Sequence, residues 1–160
     1  MDEFEVIEAG DDAARRSAFA IRRTVFCDEQ GVAPEEEFDA ADTDAATRHY
    51  LGFLRGEAAG AARLRFLDAR TAKIERVAVL HARRRRGLGA ALTRRVISEA
   101  RAAGAESIVL HAQTQAEGFY AALGFVTCGA GFLEAGIPHV RMVFGAAARN
   151  APCNEDPPFL

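Results

Sequence analysis

The sequence predicts a mixed α/β domain, and three observations carry that expectation. A strand, a helix and a second strand follow one another over residues 72–110, about forty residues, the length of a βαβ crossover with parallel strands and a right-handed connection. Upstream, residues 50–54 and 61–66 flank the segment RGEAAG, the pattern of an antiparallel pair around a glycine-containing turn. The chain has 160 residues, 49% hydrophobic and 27% charged, which suits one domain that buries its own core.

In chain order, residues 4–7 read as a short first strand. Asp11 and Asp12 then offer an N-cap to an alanine-rich helix. Ala18, Ile21 and Val25 give that helix a buried face, and Gly31 and Pro34 end it. The acidic stretch PEEEFDAADTDAAT has little periodicity and reads as a loop or a short helical turn. The strand over residues 72–80 is apolar on both faces in its second half, as a central strand requires. After a basic turn, Leu88, Leu92 and Val96 mark an amphipathic helix that Gly104 ends. Residues 107–110 form the next strand, and residues 116–123 a short helix stopped at Gly124. Residues 125–128 and 140–144 make a closing strand pair joined by GAGFLEAGIPH. The domain is expected over residues 1–146, with 147–160 a flexible tail unless a partner or second subunit pins it.

The formal net charge of −3 and a pI near 5.8 leave no global field for DNA or RNA, so any anion site must be a local patch. Cys27, Cys128 and Cys153 are odd in number and show neither zinc nor disulfide spacing, which reads as reduced thiols and no metal. The first residues are acidic, and no apolar run approaches the ~20 residues that span a membrane. A cytoplasmic protein with no membrane and no nucleic-acid partner is expected.

The most informative segment is Val77-Ala78-Val79-Leu80-His81-Ala82-Arg83-Arg84-Arg85-Arg86-Gly87-Leu88-Gly89-Ala90. A strand runs into a basic, glycine-containing turn that opens a helix. The first helical turn has unpaired N–H groups and the positive end of the dipole, and glycine lets a ligand approach that backbone. A diphosphate would find converging donors there. A phosphate loop is excluded because no Gly-Lys-Ser/Thr follows, and the dinucleotide fingerprint lacks its third glycine.

This segment resembles the central motif of the GCN5-related N-acetyltransferase (GNAT) superfamily, Gln/Arg-x-x-Gly-x-Gly/Ala, matched by Arg84-Arg85-Arg86-Gly87-Leu88-Gly89. Tyr120-Ala121-Ala122-Leu123-Gly124-Phe125 is similar to the superfamily's later Tyr-x-x-x-Gly-Phe. Val25 to Gln30, His111-Ala112-Gln113 and Gly136-Ile137-Pro138-His139 look like its ElaA-like branch. The resemblance covers residues 5–145 and implies a GNAT fold: a central mixed, mostly antiparallel sheet of about six to seven strands flanked by about four helices. It implies acetyl-CoA as co-substrate, an amine of a small molecule or peptide as acceptor, and dimers as a common state. It assigns coenzyme binding to Val77, Ala78, Val79, Arg84, Arg85, Arg86, Gly87, Leu88, Gly89, Ala90, Gln113 and Tyr120.

Acyl transfer needs a neutral amine, a stabilised oxyanion and a protonated leaving thiolate. By the resemblance, Tyr120 protonates or hydrogen-bonds the thiolate, and a backbone N–H near Val77 or Ala78 stabilises the oxyanion beside a gap where two strands splay. The candidates for the base are Glu75, two residues before Val77 and expected on the same strand face, and His111 on the adjacent strand; an amine arriving as its neutral fraction needs no dedicated base. Glu75 could instead pair with Arg63, Arg65 or Arg76, and His111 could be a satisfied histidine. Glu29, Gln30 and His139 are candidates for the acceptor wall, with Glu36 and Asp39 beside them. A regulatory module that binds acyl-CoA without turnover is the competing reading. A nucleic-acid binder using Arg83 to Arg86 is disfavoured by the acidic total and the lack of interleaved aromatics.

Overall fold

The protein is described by a computed structural model over residues 3–145, so the expected tail at 147–160 lies outside the described residues. Eight strands form one mixed sheet in the order β1-β2-β3-β4-β5-β8-β6, with β7 paired to the end of β8. The strands are β1 (Phe4–Glu8), β2 (Arg48–Leu54), β3 (Glu57–Phe66), β4 (Thr71–Val79), β5 (Ser107–Gln113), β6 (Phe125–Thr127), β7 (Phe132–Glu134) and β8 (Ile137–Phe144). Only β4 and β5 run parallel, because a helix connects them; every other neighbouring pair is antiparallel. The helices are α1 (Asp12–Arg22), α2 (Pro34–Glu37), α3 (Leu88–Ala102) and α4 (Glu117–Ala122).

Both sheet faces are covered. The apolar stripe of α3, with Leu88, Leu92, Val96, Ile97 and Ala100, packs on Tyr50, Leu64, Ile74, Leu110 and Met142. Glycines on β2 and β3 let α3 come close: a Cβ on Gly60 would stand 2.6 Å from Leu92 Cδ1. On the other face α1 sets Ala18 and Ile21 against Leu51, Ala61 and Ala78. Asp11 caps α1, accepting from Ala14 N at 2.8 Å.

Several elements depart from the sequence expectation. The first helix does not run on to Glu29 as an α-helix. It widens into a π-helical segment, Arg23–Glu29, a form common where a chain bends toward a functional site. The turn in RGEAAG is only Arg55-Gly56, both at positive φ (51° and 83°), so β3 begins at Glu57. The segment GAGFLEAGIPH contains a hairpin, β7 to β8 around Ala135-Gly136, again with both φ positive (50° and 74°). That hairpin supplies the eighth strand.

The acidic stretch forms short helical turns, α2 and a 3-10 turn over Ala40–Thr43, and three of its carboxylates engage buried arginines. Arg22, 1% exposed, donates from Nε to Glu37 at 2.9 Å and from Nη1 to Asp42 at 2.7 Å. Its guanidinium also stacks on Phe19 and Phe38, at 5.2 and 4.8 Å from the ring centroids. Arg63, equally buried, holds Asp39 at 2.8 Å, Asp42 at 2.9 Å and Glu75. The carboxylates of this segment balance arginines that would otherwise be buried unpaired.

Cys27 is a free thiol, and Cys153 lies outside the described residues. Among the described residues no helix is long and apolar enough to cross a membrane, and no cluster of three or more side chains is arranged to hold a metal.

Candidate active site

The parallel rungs between β4 and β5 run from Thr71–Ser107 to Ile74–Leu110 and stop there. Beyond them β4 stays with β3, pairing Ala78 with Ala61 and Val79 with Gly60. Strand β5 stays with β8, pairing His111 with Arg141 and Gln113 with His139. A bulge accounts for the parting. Arg76 adopts φ +56°, and one more residue is used on β4 than on β3 between Glu75 and Ala78. Such an insertion bends the strand and adds twist.

The bulge also overturns the expected shared face of Glu75 and Val77. The extra residue breaks the two-residue alternation. Glu75 lies with Arg63 on the α1 side, while Val77 packs against the α3 core.

The parted strands border a cleft of about 670 Å³. Val77, Ala78, Val79, Arg84, His111, Gln113, Tyr120, Gln30 and His139 all line it, as do Glu36, Asp39, Glu75 and Glu134. The expected coenzyme residues Arg85, Arg86, Gly87, Leu88, Gly89 and Ala90 are not part of its lining. In that turn, Gly87 occupies the N-cap of α3 at φ +94°, and no side chain among the described residues caps the helix. The N–H groups of Leu88, Gly89 and Ala90 therefore open the first turn without a capping oxygen. Leu88 is buried, so only its backbone faces the turn; Arg85, Arg86 and Gly87 are exposed. The backbone is open at Gly89, where a Cβ would meet the Phe119 ring at 3.4 Å and Val79 at 3.7 Å.

Arg84 is not turned outward with its neighbours. Its Nε donates to Val79 O at 2.9 Å, and its Nη1 and Nη2 grip Glu29 at 2.5 and 2.6 Å. That hydrogen bond holds the Glu29 carboxyl below its ordinary range. Glu29, expected on the acceptor wall, is thus engaged in fixing Arg84 and the turn. Gln30, next to it, accepts from Gln113 Nε2 at 2.8 Å and bridges the π-helical segment to β5.

Tyr120 sits in the cleft wall between Phe119 and Phe125, with ring centroids 4.9 and 5.8 Å away. Burial pushes its phenol well above the ordinary tyrosine range, so it keeps its proton at any physiological pH.

The two candidate bases have different surroundings. Both oxygens of Glu75 are occupied, one by Arg63 and one by Arg65 Nε at 2.6 Å. Burial opposes the Glu75 charge, but Arg63, Arg65 and Lys73 hold its carboxyl below the ordinary range. His111 meets a carboxylate: its Nδ1 is 2.9 Å from Glu134 Oε1. The other oxygen, Glu134 Oε2, lies 3.6 Å from His139 Nε2. Burial works against charge on Glu134, yet the hydrogen bond from His111 and the nearby His139 and Lys73 bring its carboxyl down to about 2.

Sequence reasoning missed Glu134, Phe132 and the Arg22–Asp42 pairing. The first two had a signal, the dipeptide Ala135-Gly136 between short runs, which is a two-residue hairpin turn. The third had none, since ion pairing across twenty residues leaves no local mark.

Comparison with known proteins agrees with this geometry. The profile of the acetyltransferase (GNAT) domain matches residues 22–145. The uncharacterized N-acetyltransferase YjcF of Bacillus subtilis (strain 168) is 34% identical over 140 residues, 87% of this chain and 98% of that one. The crystal structure of Escherichia coli ElaA superposes with a TM-score of 0.77 at 26% identity, covering 90% of this chain and 99% of that one. An acyl-CoA N-acyltransferase from Pseudomonas aeruginosa superposes with a TM-score of 0.75 at 26% identity, covering 91% and 100%.

Proposed function

The chain belongs to the GNAT acetyltransferase family, and on that premise we propose that it transfers an acetyl group from acetyl-CoA to a primary amine of a small molecule or peptide. Attack is direct, with both substrates bound. The observation that carries the reading is the parting of β4 and β5 beyond Ile74 and Leu110, which opens a cleft lined by the β4 edge and Tyr120; the first turn of α3 lies outside that lining, but Gly89 adjoins Val79, which is part of it.

The residues fit the coenzyme. The N–H groups at Leu88, Gly89 and Ala90 suit a diphosphate, and Gly89 leaves space that a side chain would fill. Arg85 and Arg86 add exposed positive charge beside it. The free edge of Val77 to Val79 can pair with amides of an extended arm. Acetyl-CoA supplies an activated acyl carbon and a thiolate leaving group.

The protein's own groups then move the protons. An ammonium and a thioester become an amide, a thiol and one proton. His111 takes the ammonium proton, so that the nitrogen lone pair can form the new C–N bond. Backbone N–H groups near Val77 and Ala78 receive the charge that develops on the carbonyl oxygen. The C–S bond breaks, and the Tyr120 hydroxyl donates to the departing sulfur. The nitrogen, which after attack still carries one proton more than an amide, gives it through solvent to the tyrosinate, which restores Tyr120, and His111 releases its own proton to solvent.

A thermal melt with acetyl-CoA, with adenosine diphosphate as control, tests the coenzyme site. Ligand at ~100 times its dissociation constant adds about 2.7 kcal/mol, or roughly 5–10 °C for a domain of this size. Thiol release against a panel of primary amines then tests transfer. No shift with ligand in excess overturns the enzyme reading; a shift without thiol release from any amine favours coenzyme binding without turnover.

A further inference from the structure

We propose that Arg76 is a positioning residue of the acceptor side: the bulge of β4 turns its guanidinium onto residues 36–39 and holds them as the wall against which the acceptor amine is placed. The inference rests on the proposed transfer and goes beyond it by naming what fixes that wall.

Three observations support it. The first is the backbone. An arginine at φ +56° is in the left-handed region, which a long side chain avoids unless its surroundings hold it there. A bulge re-aims the side chain it carries, and the bulge of β4 carries Arg76.

The second is where that side chain goes. Its Nε donates to Glu37 O at 3.1 Å and lies 3.2 Å from Glu37 Oε1. Its Nη2 reaches Glu36 O and Asp39 Oδ2, each at 3.4 Å. One planar guanidinium thus engages Glu36, Glu37 and Asp39, and all three line the cleft with it. Arg22 and Arg63 grip the same stretch from buried positions, each 1% exposed, through Glu37, Asp39 and Asp42. The Arg76 side chain is 21% exposed, the most exposed of the three anchors. Its loss therefore loosens residues 36–39 without releasing the whole segment.

The third is chain continuity. Arg76 directly precedes Val77 and Ala78, whose N–H groups the proposed transfer uses for the oxyanion. The bulge therefore acts twice. It parts β4 from β5, which opens the cleft, and it ties the acidic segment to the residue beside the reacting carbonyl. The spacing between acyl donor and acceptor is then set through one residue, and rate depends steeply on such spacing.

The experiment compares wild type with Arg76→Gly, Arg76→Asn and Arg76→Lys. Glycine and asparagine both accept positive φ, so the bulge survives while the guanidinium is lost. Lysine keeps the charge without the fork. Hydrogen exchange reads the wall, calorimetry reads acetyl-CoA affinity, and thiol release with the primary amine that wild type turns over fastest reads the acceptor. The amides of Glu36, Glu37 and Phe38 donate to Ala33 O and Pro34 O. In Arg76→Gly and Arg76→Asn they exchange about tenfold faster, while those of Ile74 and Leu110 keep the wild-type rate. KM for the amine rises about tenfold or more, and acetyl-CoA affinity stays within about twofold. Arg76→Lys recovers part of both changes. Unchanged exchange at residues 36–38 overturns the inference, and so does faster exchange with an unchanged KM for the amine. An equal loss of acetyl-CoA affinity also overturns it, because Arg76 then supports the coenzyme slot and not the wall. If wild type releases thiol with no amine, the transfer reading falls and takes the acceptor role with it, and the exchange rates alone decide whether Arg76 anchors the segment.

Discussion

Ile74 and Leu110 form the last rung that β4 and β5 share. One residue further on, Glu75 faces Arg63 across β3 and His111 faces Arg141 across β8. Two strands that begin as parallel neighbours thus end as members of two separate antiparallel sets. The cleft is the space between those sets. Its position follows from the βαβ crossover, which joins the strands only at their starts, and from the bulge at Arg76, which turns β4 away.

Tyr120→Phe is expected to keep the affinity for acetyl-CoA and lose about a hundredfold or more in kcat, the usual range for a proton donor. The ring remains packed against Phe119 and Phe125, so packing is unchanged and only the hydroxyl is removed. Because burial keeps the phenol protonated, no alkaline limb of the wild-type profile below about pH 10 should come from Tyr120. Calorimetric binding together with thiol release checks this. Equal turnover in the variant removes Tyr120 from the proposed mechanism.

Gly89→Val is expected to weaken acetyl-CoA binding by at least tenfold without unfolding the protein. A Cβ at this position meets the Phe119 ring at 3.4 Å and Val79 at 3.7 Å, ordinary contacts, and the two further methyls of valine extend into the space beside the first turn of α3. The check pairs a melting temperature with a binding isotherm. An intact fold with unchanged affinity moves the anion site elsewhere.

Much of this architecture was legible because it is local. Leu88, Leu92 and Val96 announce α3 by their spacing, and Gly87 with Gly89 announces the turn before it. What was hidden depends on contacts between distant segments or on rare backbone states. Arg76 is an ordinary arginine in sequence, and nothing about it signals the left-handed conformation that bulges β4 and separates the faces of Glu75 and Val77. In the acidic stretch, Glu35 and Glu36 are exposed, but nothing local announces that Glu37 and Asp42 engage the buried Arg22, or Asp39 and Asp42 the buried Arg63. Glu29 was legible as a polar residue near the site, but its commitment to Arg84, fifty-five positions away, was not.

Asp42→Asn is expected to lower stability at pH 7 by about 1–3 kcal/mol, the worth of hydrogen bonds to charged groups, since Asp42 accepts from both Arg22 and Arg63. Burial opposes its charge, but Arg22 and Arg63 hold the carboxyl well below the ordinary range. A depressed folded value contributes stability that is complete above the unfolded value of about 3.9 and is lost as the pH falls through the folded value. The gap between wild type and variant should therefore be wide at pH 7 and narrow as the pH drops below about 4. Urea midpoints at pH 7 and pH 3 measure it. A gap that stays constant would show that the Arg22–Asp42–Arg63 cluster does not govern acid stability.

Gly60→Ala tests the closeness of α3 to the sheet. The added methyl would sit 2.6 Å from Leu92 Cδ1 and 3.2 Å from both Ala78 O and Leu88 Cδ2, where only the leucines can give way. Those leucines are themselves 0% and 1% exposed, so the strain has little room to dissipate. Overpacking of this kind costs about 1–3 kcal/mol. Because Gly60 pairs with Val79 at the end of β4, the same displacement should reach the strand edge that borders the cleft. Denaturant midpoints give the first effect and acetyl-CoA affinity the second. A loss of stability with unchanged affinity would mean that α3 shifts as a body and carries its N-terminal turn along; a loss of both would mean that β4 yields instead.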